Sequence, residues 1–229
     1  MEIAVVIPTL NEERTIRTCL EAVGKRPGVE IVVSDGGSID RTCELASAAG
    51  ARVVDGARGR GPQLNLGAQS AVAGQLLFLH ADCRLPDGWL PALRTALVDE
   101  VTALACFRLH TEPSGGRRRS LLYRRWLRVF DLRSFGLGLP YGDQGFGLRR
   151  EVFDRVGGFQ EIPLMEDVAL ARSCRRLGKI RRLPLEVRTT ARRAEGHAVR
   201  TGMALATFPT LFRLGVSPST LSRWYGEVR

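Results

Sequence analysis

The chain has 229 residues, 44% hydrophobic and 25% charged, a composition that excludes a disordered or fibrous protein and suffices for a core without disulfide or metal staples. Its five cysteines, Cys19, Cys43, Cys83, Cys106 and Cys174, are odd in number and never paired as C-x-x-C, so neither a disulfide framework nor a zinc ribbon is expected and a reduced, cytoplasmic setting is. The net charge of +10 is lopsided: residues 1–100 carry 10 Lys and Arg against 13 Asp and Glu, and residues 101–229 carry 24 against 11, a basic half that suits an anionic ligand, a membrane surface or nucleic acid.

The chain opens directly into the strand-like Ile3-Ala4-Val5-Val6-Ile7, with no basic leader, and no apolar run approaches the ~20 residues of a membrane span. Strands are predicted near 2–7, 29–34, 51–54 and 75–80, alternating with helices near 11–24, 40–49, 62–73 and 87–98. Repeated βα alternation predicts a mostly parallel sheet with helices on both faces. The runs Ile31-Val32-Val33 and Leu76-Leu77-Phe78-Leu79 are continuously apolar, as strands buried on both faces should be. Beyond residue 100 the alternation breaks. A strand is expected at 101–109, an Arg-rich amphipathic helix near 117–131, a Gly-rich stretch over 136–142 and a strand near 144–149. Helices at 150–156 and 167–177, a strand near 180–187 and helices near 197–213 and 218–226 complete the chain.

In an open α/β sheet, ligands bind beyond the carboxyl ends of the parallel strands, and each of those positions here is polar. After the first strand comes Pro8-Thr9-Leu10-Asn11-Glu12-Glu13, where a dinucleotide enzyme would carry G-x-G-x-x-G; that fingerprint and the Walker A loop are both absent. Thr9 with Glu12 three residues on reads locally as a capping box for the first helix. After the second strand, Asp35 precedes the bare backbone of Gly36 and Gly37, suited to accepting from a base N–H or ribose hydroxyl, with Ser38 or Asp40 capping the next helix. After the third, Arg60 and Gln63 stand at a Gly-flanked helix start, the makings of an anion cradle. After the fourth comes His80-Ala81-Asp82, and Asp82 is the first-half residue best suited to a hard cation that also binds a diphosphate, the alternative being a cap for the helix near Pro86.

Taken together, these segments resemble glycosyltransferase family 2. Ile7-Pro8-Thr9-Leu10-Asn11-Glu12-Glu13 resembles that family's opening, Val33-Ser34-Asp35-Gly36-Gly37-Ser38-Ile39-Asp40-Arg41-Thr42 its second motif, and His80-Ala81-Asp82 the position of its D-x-D. Gly142-Asp143-Gln144-Gly145-Phe146, Phe153-Asp154-Arg155-Val156-Gly157-Gly158-Phe159 and Met165-Glu166-Asp167-Val168 resemble its acceptor-side segments, ending in the Glu-Asp base motif. The details are most similar to a small bacterial subgroup with H-A-D in place of D-x-D, associated by name with selenium or arsenosugar pathways.

The resemblance implies a single GT-A domain over 1–229, an α/β fold with a nucleotide-sugar-binding half (1–100), an acceptor half (101–190) and a C-terminal helical segment (191–229). It further implies an inverting transferase using a nucleotide sugar, UDP-linked, with Pro8, Thr9, Asn11, Glu12, Asp35, Gly36, Arg60, Gln63 and His80 about the donor. Asp82 would hold a divalent cation, Mn²⁺ or Mg²⁺, and Arg192 and Arg193 a diphosphate-binding lid. Asp143 and Gln144 would lie on the acceptor side, and Asp167, with Glu166 beside it, would be the general base. His80 departs from the family's first acid, and Arg84 stands where a further acid is frequent and could itself neutralise phosphate charge. Glu166 and Asp167 also suit a helix N-terminus electrostatically, which is compatible with base work. Two other classes compete: a sugar-nucleotide-binding module weakened in catalysis by His80, and a nucleic-acid binder built on the basic half. The second lacks any RNP-type, zinc-finger or basic-heptad pattern, so nucleic acid is not expected as a partner, whereas peripheral contact with a membrane is compatible with the basic, amphipathic second half.

Overall fold

The computed structural model describes residues 2–56, 58–113, 131, 139–190 and 207–226. The β-branched and apolar runs form strands β1 (Ile3–Thr9), β2 (Val29–Asp35), β3 (Arg52–Asp55) and β4 (Gln75–Phe78), linked by helices α1 (Ile16–Val23), α2 (Thr42–Ala48) and α3 (Arg60–Ser70). Helix α4 (Trp89–Val98) leads into β5 (Thr102–Glu112), and a short 3₁₀ turn (Gly142–Gln144) precedes β6 (Phe146–Arg149). Helices α5 (Arg150–Arg155) and α6 (Glu166–Leu177), strand β7 (Lys179–Thr190), a helical segment at 207–213 and α7 (Pro218–Tyr225) follow. The helix expected near 117–131 lies outside the described residues except Asp131, as does the Gly-rich stretch before Leu139.

The seven strands form one sheet in the order β3-β2-β1-β4-β6-β5-β7. Strand β6 is antiparallel to both neighbours and every other pairing is parallel, so β1 to β5 and β7 all end along one edge. Alternate residues of β1 enter opposite layers, as the two-residue period of a strand requires. Ile3, Val5 and Ile7 meet Leu20 of α1 and Leu93 and Leu97 of α4; Ala4 and Val6 join the layer containing Leu64 and Ala68 of α3 and Leu170 and Cys174 of α6. Burying each of the larger side chains contributes about 1.5–3 kcal/mol. A one-residue slip would exchange the two layers, so this double burial fixes the register.

Two packing details aim the site. Gly67 brings α3 against β1, where any Cβ would collide with Val6. Phe78, at the end of β4, packs on Phe153 (ring centroids 5.1 Å apart) and Phe159 (4.8 Å), which pins the segment leading to α6 beneath the strand ends.

Candidate active site

The ends of β1 and β2 are stitched together around one carboxylate. Asp35 Oδ1 accepts from Thr9 Oγ1 (2.8 Å) and Ser38 Oγ (2.6 Å), and Oδ2 accepts from the N–H groups of Gly37 (2.9 Å) and Ser38 (2.7 Å). A carboxylate offers about four lone-pair sites, so Asp35 is engaged from within the protein on all sides. Burial pushes its pKa up, but these bonds favour the charged form more strongly and leave it below the usual value. Gln63, buried on α3, donates through Nε2 to the carbonyl oxygens of Thr9 (2.7 Å) and Ser34 (2.9 Å). Gly36 must be bare beside it, because a Cβ there would stand 3.0 Å from that nitrogen.

The capping box expected from Thr9 and Glu12 does not form. Helix α1 starts at Ile16, Thr9 is held by Asp35, and the Glu12 carboxylate accepts from Thr15 Oγ1 (2.8 Å). Residues 11–15 are instead a loop locked to its neighbour. Asn11, at φ 55°, accepts from the Ile39 N–H (2.9 Å) and donates its own N–H to Ser38 Oγ (2.8 Å), while the Glu12 N–H donates to Thr42 Oγ1 (2.8 Å). Neither Ser38 nor Asp40 is the cap of α2, whose N-cap position is Arg41 with no side-chain cap bond; Asp40, one residue earlier, accepts the Thr42 N–H (3.0 Å). Pro8, half-buried in β1 opposite Ser34, completes the floor of this region.

After β4 the chain turns sharply, with the Cys83 N–H donating to the His80 carbonyl (3.0 Å). Asp82 is half-buried on this turn and does not cap α4, whose first turn follows Gly88. Its charge acts on Arg60, Cys19 and Cys83. Among the described residues no three His, Cys, Asp or Glu side chains gather as a metal cage. Mg²⁺ or Mn²⁺ bound to a diphosphate keeps waters and needs only one or two protein carboxylates, so the donor set fits a cation shared with a diphosphate and not one held by protein alone. Arg84 is turned elsewhere: its guanidinium pairs with Glu112 and its backbone exchanges two hydrogen bonds with Arg188 (2.8 and 3.0 Å).

Opposite this turn stands the acidic pair. Met165, held at φ 72° in the left-handed region, directs the first residues of α6 toward the strand ends. Glu166 is 1% exposed and binds Arg60 Nη1 through Oε1 (2.8 Å). Arg60 therefore faces a carboxylate 106 residues away, and that carboxylate holds its guanidinium more firmly charged than usual. Asp167 is half-buried; Oδ2 accepts the Gly142 N–H and Oδ1 the Val168 N–H, both at 2.7 Å. Burial first, then the charge of Glu166, raise its pKa to about 6, against the pull of those N–H groups and Arg60. The Asp167 carboxylate thus sits where a modest pH change alters its charge.

The 3₁₀ turn carries both residues expected on the acceptor side, with different fates. Asp143 is half-buried at the surface of the turn. Gln144, 2% exposed, bonds the Tyr141 N–H through Oε1 (2.9 Å) and the Phe107 carbonyl through Nε2 (3.0 Å), so it braces the turn and faces no acceptor. Arg192 and Arg193 lie outside the described residues. Sequence reasoning overlooked Asn65, whose side chain clamps the backbone of Phe159 in both directions (2.8 and 2.9 Å) and so joins α3 to the segment bearing Glu166 and Asp167. An Asn inside a helix, flanked by Gly61 and Gly67, was its only sequence signal.

Comparison with known proteins identifies the family over the strands and loops that precede Glu166 and Asp167. The profile of a family described as Glycosyl transferase family 2 matches residues 4–157. A PGL/p-HBAD biosynthesis glycosyltransferase of Mycobacterium tuberculosis is 28% identical over 169 residues, 68% of this chain and 62% of the relative, so the match spans less than two thirds of that protein's length. Among solved structures, glucosyl-3-phosphoglycerate synthase from M. tuberculosis, in complex with Mn²⁺, UDP and phosphoglyceric acid, superposes with a TM-score of 0.60 at 25% identity over 94% of this chain and 79% of its own. Mannosyltransferase PcManGT from Pyrobaculum calidifontis, in complex with GDP-Man and Mn²⁺, gives 0.66 at 17% identity over 98% and 68%. The sheet matches that of these GT-A neighbours, and with two thirds of its length under the family profile this chain belongs to glycosyltransferase family 2.

Proposed function

We propose that the protein is an inverting glycosyltransferase that moves a sugar from a nucleotide sugar, UDP-linked, to an acceptor hydroxyl, with Asp167 as the general base. The observation that carries this reading is Asp167 itself: a carboxylate fixed by two N–H groups, raised to about 6, and facing the edge where the strand-end loops converge. The acceptor oxygen attacks the anomeric carbon, the bond from that carbon to the diphosphate breaks with its electron pair, and the hydroxyl proton passes to Asp167. A base with a pKa slightly below neutrality is ionised in the cell yet still a competent proton acceptor, typically worth ~10²- to 10⁴-fold.

Around the donor, the locked floor of Thr9, Asp35, Gly36 and Gln63 orients the nucleoside, with Pro8, Asn11 and Glu12 at its rim. Asp82 is the residue to hold a divalent cation, which when bound would neutralise diphosphate charge. The relatives in complex with UDP and Mn²⁺ and with GDP-Man and Mn²⁺ support a metal and leave UDP as the choice of the sequence resemblance. Arg192 and Arg193 would act on the leaving diphosphate, and the division at residues 100 and 190 separates donor, acceptor and C-terminal parts. The H-A-D subgroup and its pathway association rest on the resemblance alone. No described helix is long and apolar enough to cross a membrane. Exposed Leu214 and Trp224, with Arg213 and Arg223, support a peripheral membrane contact from the cytoplasmic side, measurable by sedimentation with anionic vesicles.

The deciding experiment incubates the protein with UDP-glucose, UDP-N-acetylglucosamine and GDP-mannose, with and without Mn²⁺, and follows nucleoside diphosphate release and the product's anomeric configuration. Release with inversion is expected. Binding without release would indicate the catalytically weak module, and retention of configuration would overturn single displacement.

A further inference from the structure

Helix α3 has two working faces. At about 100° per residue, Gln63 and Gly67 fall on one side and Gly61 and Asn65 on the other, each pair about one turn apart. The first side meets the floor assigned above to the donor: Gln63 bonds the Thr9 and Ser34 carbonyls (2.7 and 2.9 Å), and bare Gly67 lies against Val6 of β1. The second side grips the segment that leads to the base. Asn65 Nδ2 donates to the Phe159 carbonyl (2.9 Å) while Oδ1 accepts the Phe159 N–H (2.8 Å), so one planar amide holds both backbone polar groups of one residue. Two glycines permit that close grip. A Cβ at Gly61 would stand 2.5 Å from the Gln160 carbonyl oxygen, and one at Gly158, itself left-handed at φ 72°, would stand 2.7 Å from Asn65 Oδ1. At the start of the same helix, Arg60 holds Glu166 (2.8 Å).

We propose that Asn65 is a positioning residue for the transfer, setting through Phe159 where Asp167 stands relative to the bound donor. This assignment rests on the transferase reading above. The donor floor and the segment that ends in Asp167 lie far apart in sequence, and α3 bonds to both. Its backbone is rigid, so a fixed grip on Phe159 gives the start of α6 a fixed place. The Phe159 ring also packs on Phe78 (4.8 Å between centroids), but dispersion contacts have little direction, whereas the paired hydrogen bonds set distance and orientation together. Proton transfer needs the base within ~2.6–3.2 Å of the hydroxyl oxygen. A displacement of about 1 Å, caused by a change remote from the chemistry, can cost ~10²-fold in rate. Asn65 thus acts through the loop and not on the reacting atoms.

The test follows nucleoside diphosphate release in single turnovers from whichever of UDP-glucose, UDP-N-acetylglucosamine and GDP-mannose binds the wild-type protein, with water and concentrated glycerol as hydroxyl probes. Asn65→Ala should slow release by about tenfold to 10²-fold, while calorimetric affinity for the nucleotide sugar stays within about twofold of the wild type. Asn65→Asp keeps the shape and the bond from the Phe159 N–H but cannot donate to the carbonyl; the same kind of loss is expected, and it is the variant to read if Asn65→Ala does not fold. The double variant separates positioning from stability. In the Asp167→Asn background, Asn65→Ala should slow the residual rate by less than about twofold, because no base is left to misplace. Arg150→Ala is the control: it frees the carbonyls of Ala68, Ala71 and Ala73 at the other end of α3 (3.0, 2.9 and 2.8 Å) and should lower the melting temperature without slowing release. The inference is overturned if Asn65→Ala keeps the wild-type rate, loses donor affinity in step with rate, slows Asp167→Asn by the same factor, or is matched in rate by Arg150→Ala; each of these leaves the transferase reading intact. Full-rate turnover in Asp167→Asn, or no release from the wild type, overturns that reading first.

Discussion

Asp35 and Asp167 are the same residue at two ends of one site, and they are built in opposite ways. Asp35, on the donor side, receives four hydrogen bonds and is held below the usual carboxylate range; Asp167, on the base side, receives two, lies beside Glu166 and is raised to about 6. Burial pushes both upward, so burial alone does not decide. The supply of N–H and O–H donors against the nearness of another carboxylate does. One arrangement makes a permanent anion that shapes a loop, and the other a group able to take and release a proton.

The largest expected effect breaks the second arrangement. Asp167→Asn keeps size and one acceptor but cannot take a proton, so kcat should fall by about 10²- to 10⁴-fold with donor affinity nearly unchanged, as read by nucleoside diphosphate release and calorimetry. Next is Asp82→Ala, for which the affinity for UDP should lose its dependence on Mn²⁺ while the melting temperature stays close to that of the wild type.

Asp35→Asn and Asp167→Asn together sharpen the contrast through stability. Replacing Asp35 leaves buried donors without an acceptor, at a cost of about 1–3 kcal/mol at neutral pH. Because its folded pKa is lowered, the stability it contributes is present above the unfolded pKa and fades as pH falls through the folded value. For Asp167 the sign reverses. Its folded pKa is raised, so the wild type loses stability as pH climbs from about 4 to about 6, and the difference in melting temperature should move in favour of Asp167→Asn across that window. Opposite pH trends for the two variants are expected, and parallel trends would erase the distinction. The smallest kinetic effect belongs to Glu166→Gln. Removing the neighbouring charge should lower the pKa of Asp167 and move the acid limb of the rate profile to lower pH. It also leaves Arg60 with only the charges of Asp167 and Asp82, destabilising the fold toward the low end of the ~3–5 kcal/mol typical of a broken buried pair, since Arg60 is partly exposed.

The sheet was legible because strands buried on both faces are written as continuous apolar runs, and β1, β2 and β4 lie where those runs lie. The start of α1 was not. The bonds that hold residues 11–13 out of the helix come from Ser38, Ile39, Asp40 and Thr42, which no local pattern around Thr9 reveals. The site was legible in its members and less so in its pairings. Arg60 reads as an anion ligand, yet its nearest anion is Glu166, and Gln144 reads as acceptor-facing, yet it braces its own turn. Met165 carries no sequence mark at all, since a left-handed non-glycine residue follows from the packing around it.

The central claim is that Asp167 takes the acceptor's proton, and the pH dependence of a single turnover tests it most directly. Nucleoside diphosphate release from pre-bound nucleotide sugar should rise through an acid limb with an apparent pKa of about 6 in the wild type and show no such limb at the residual rate of Asp167→Asn. An unchanged limb in Asp167→Asn would mean that another group titrates and that the base lies elsewhere.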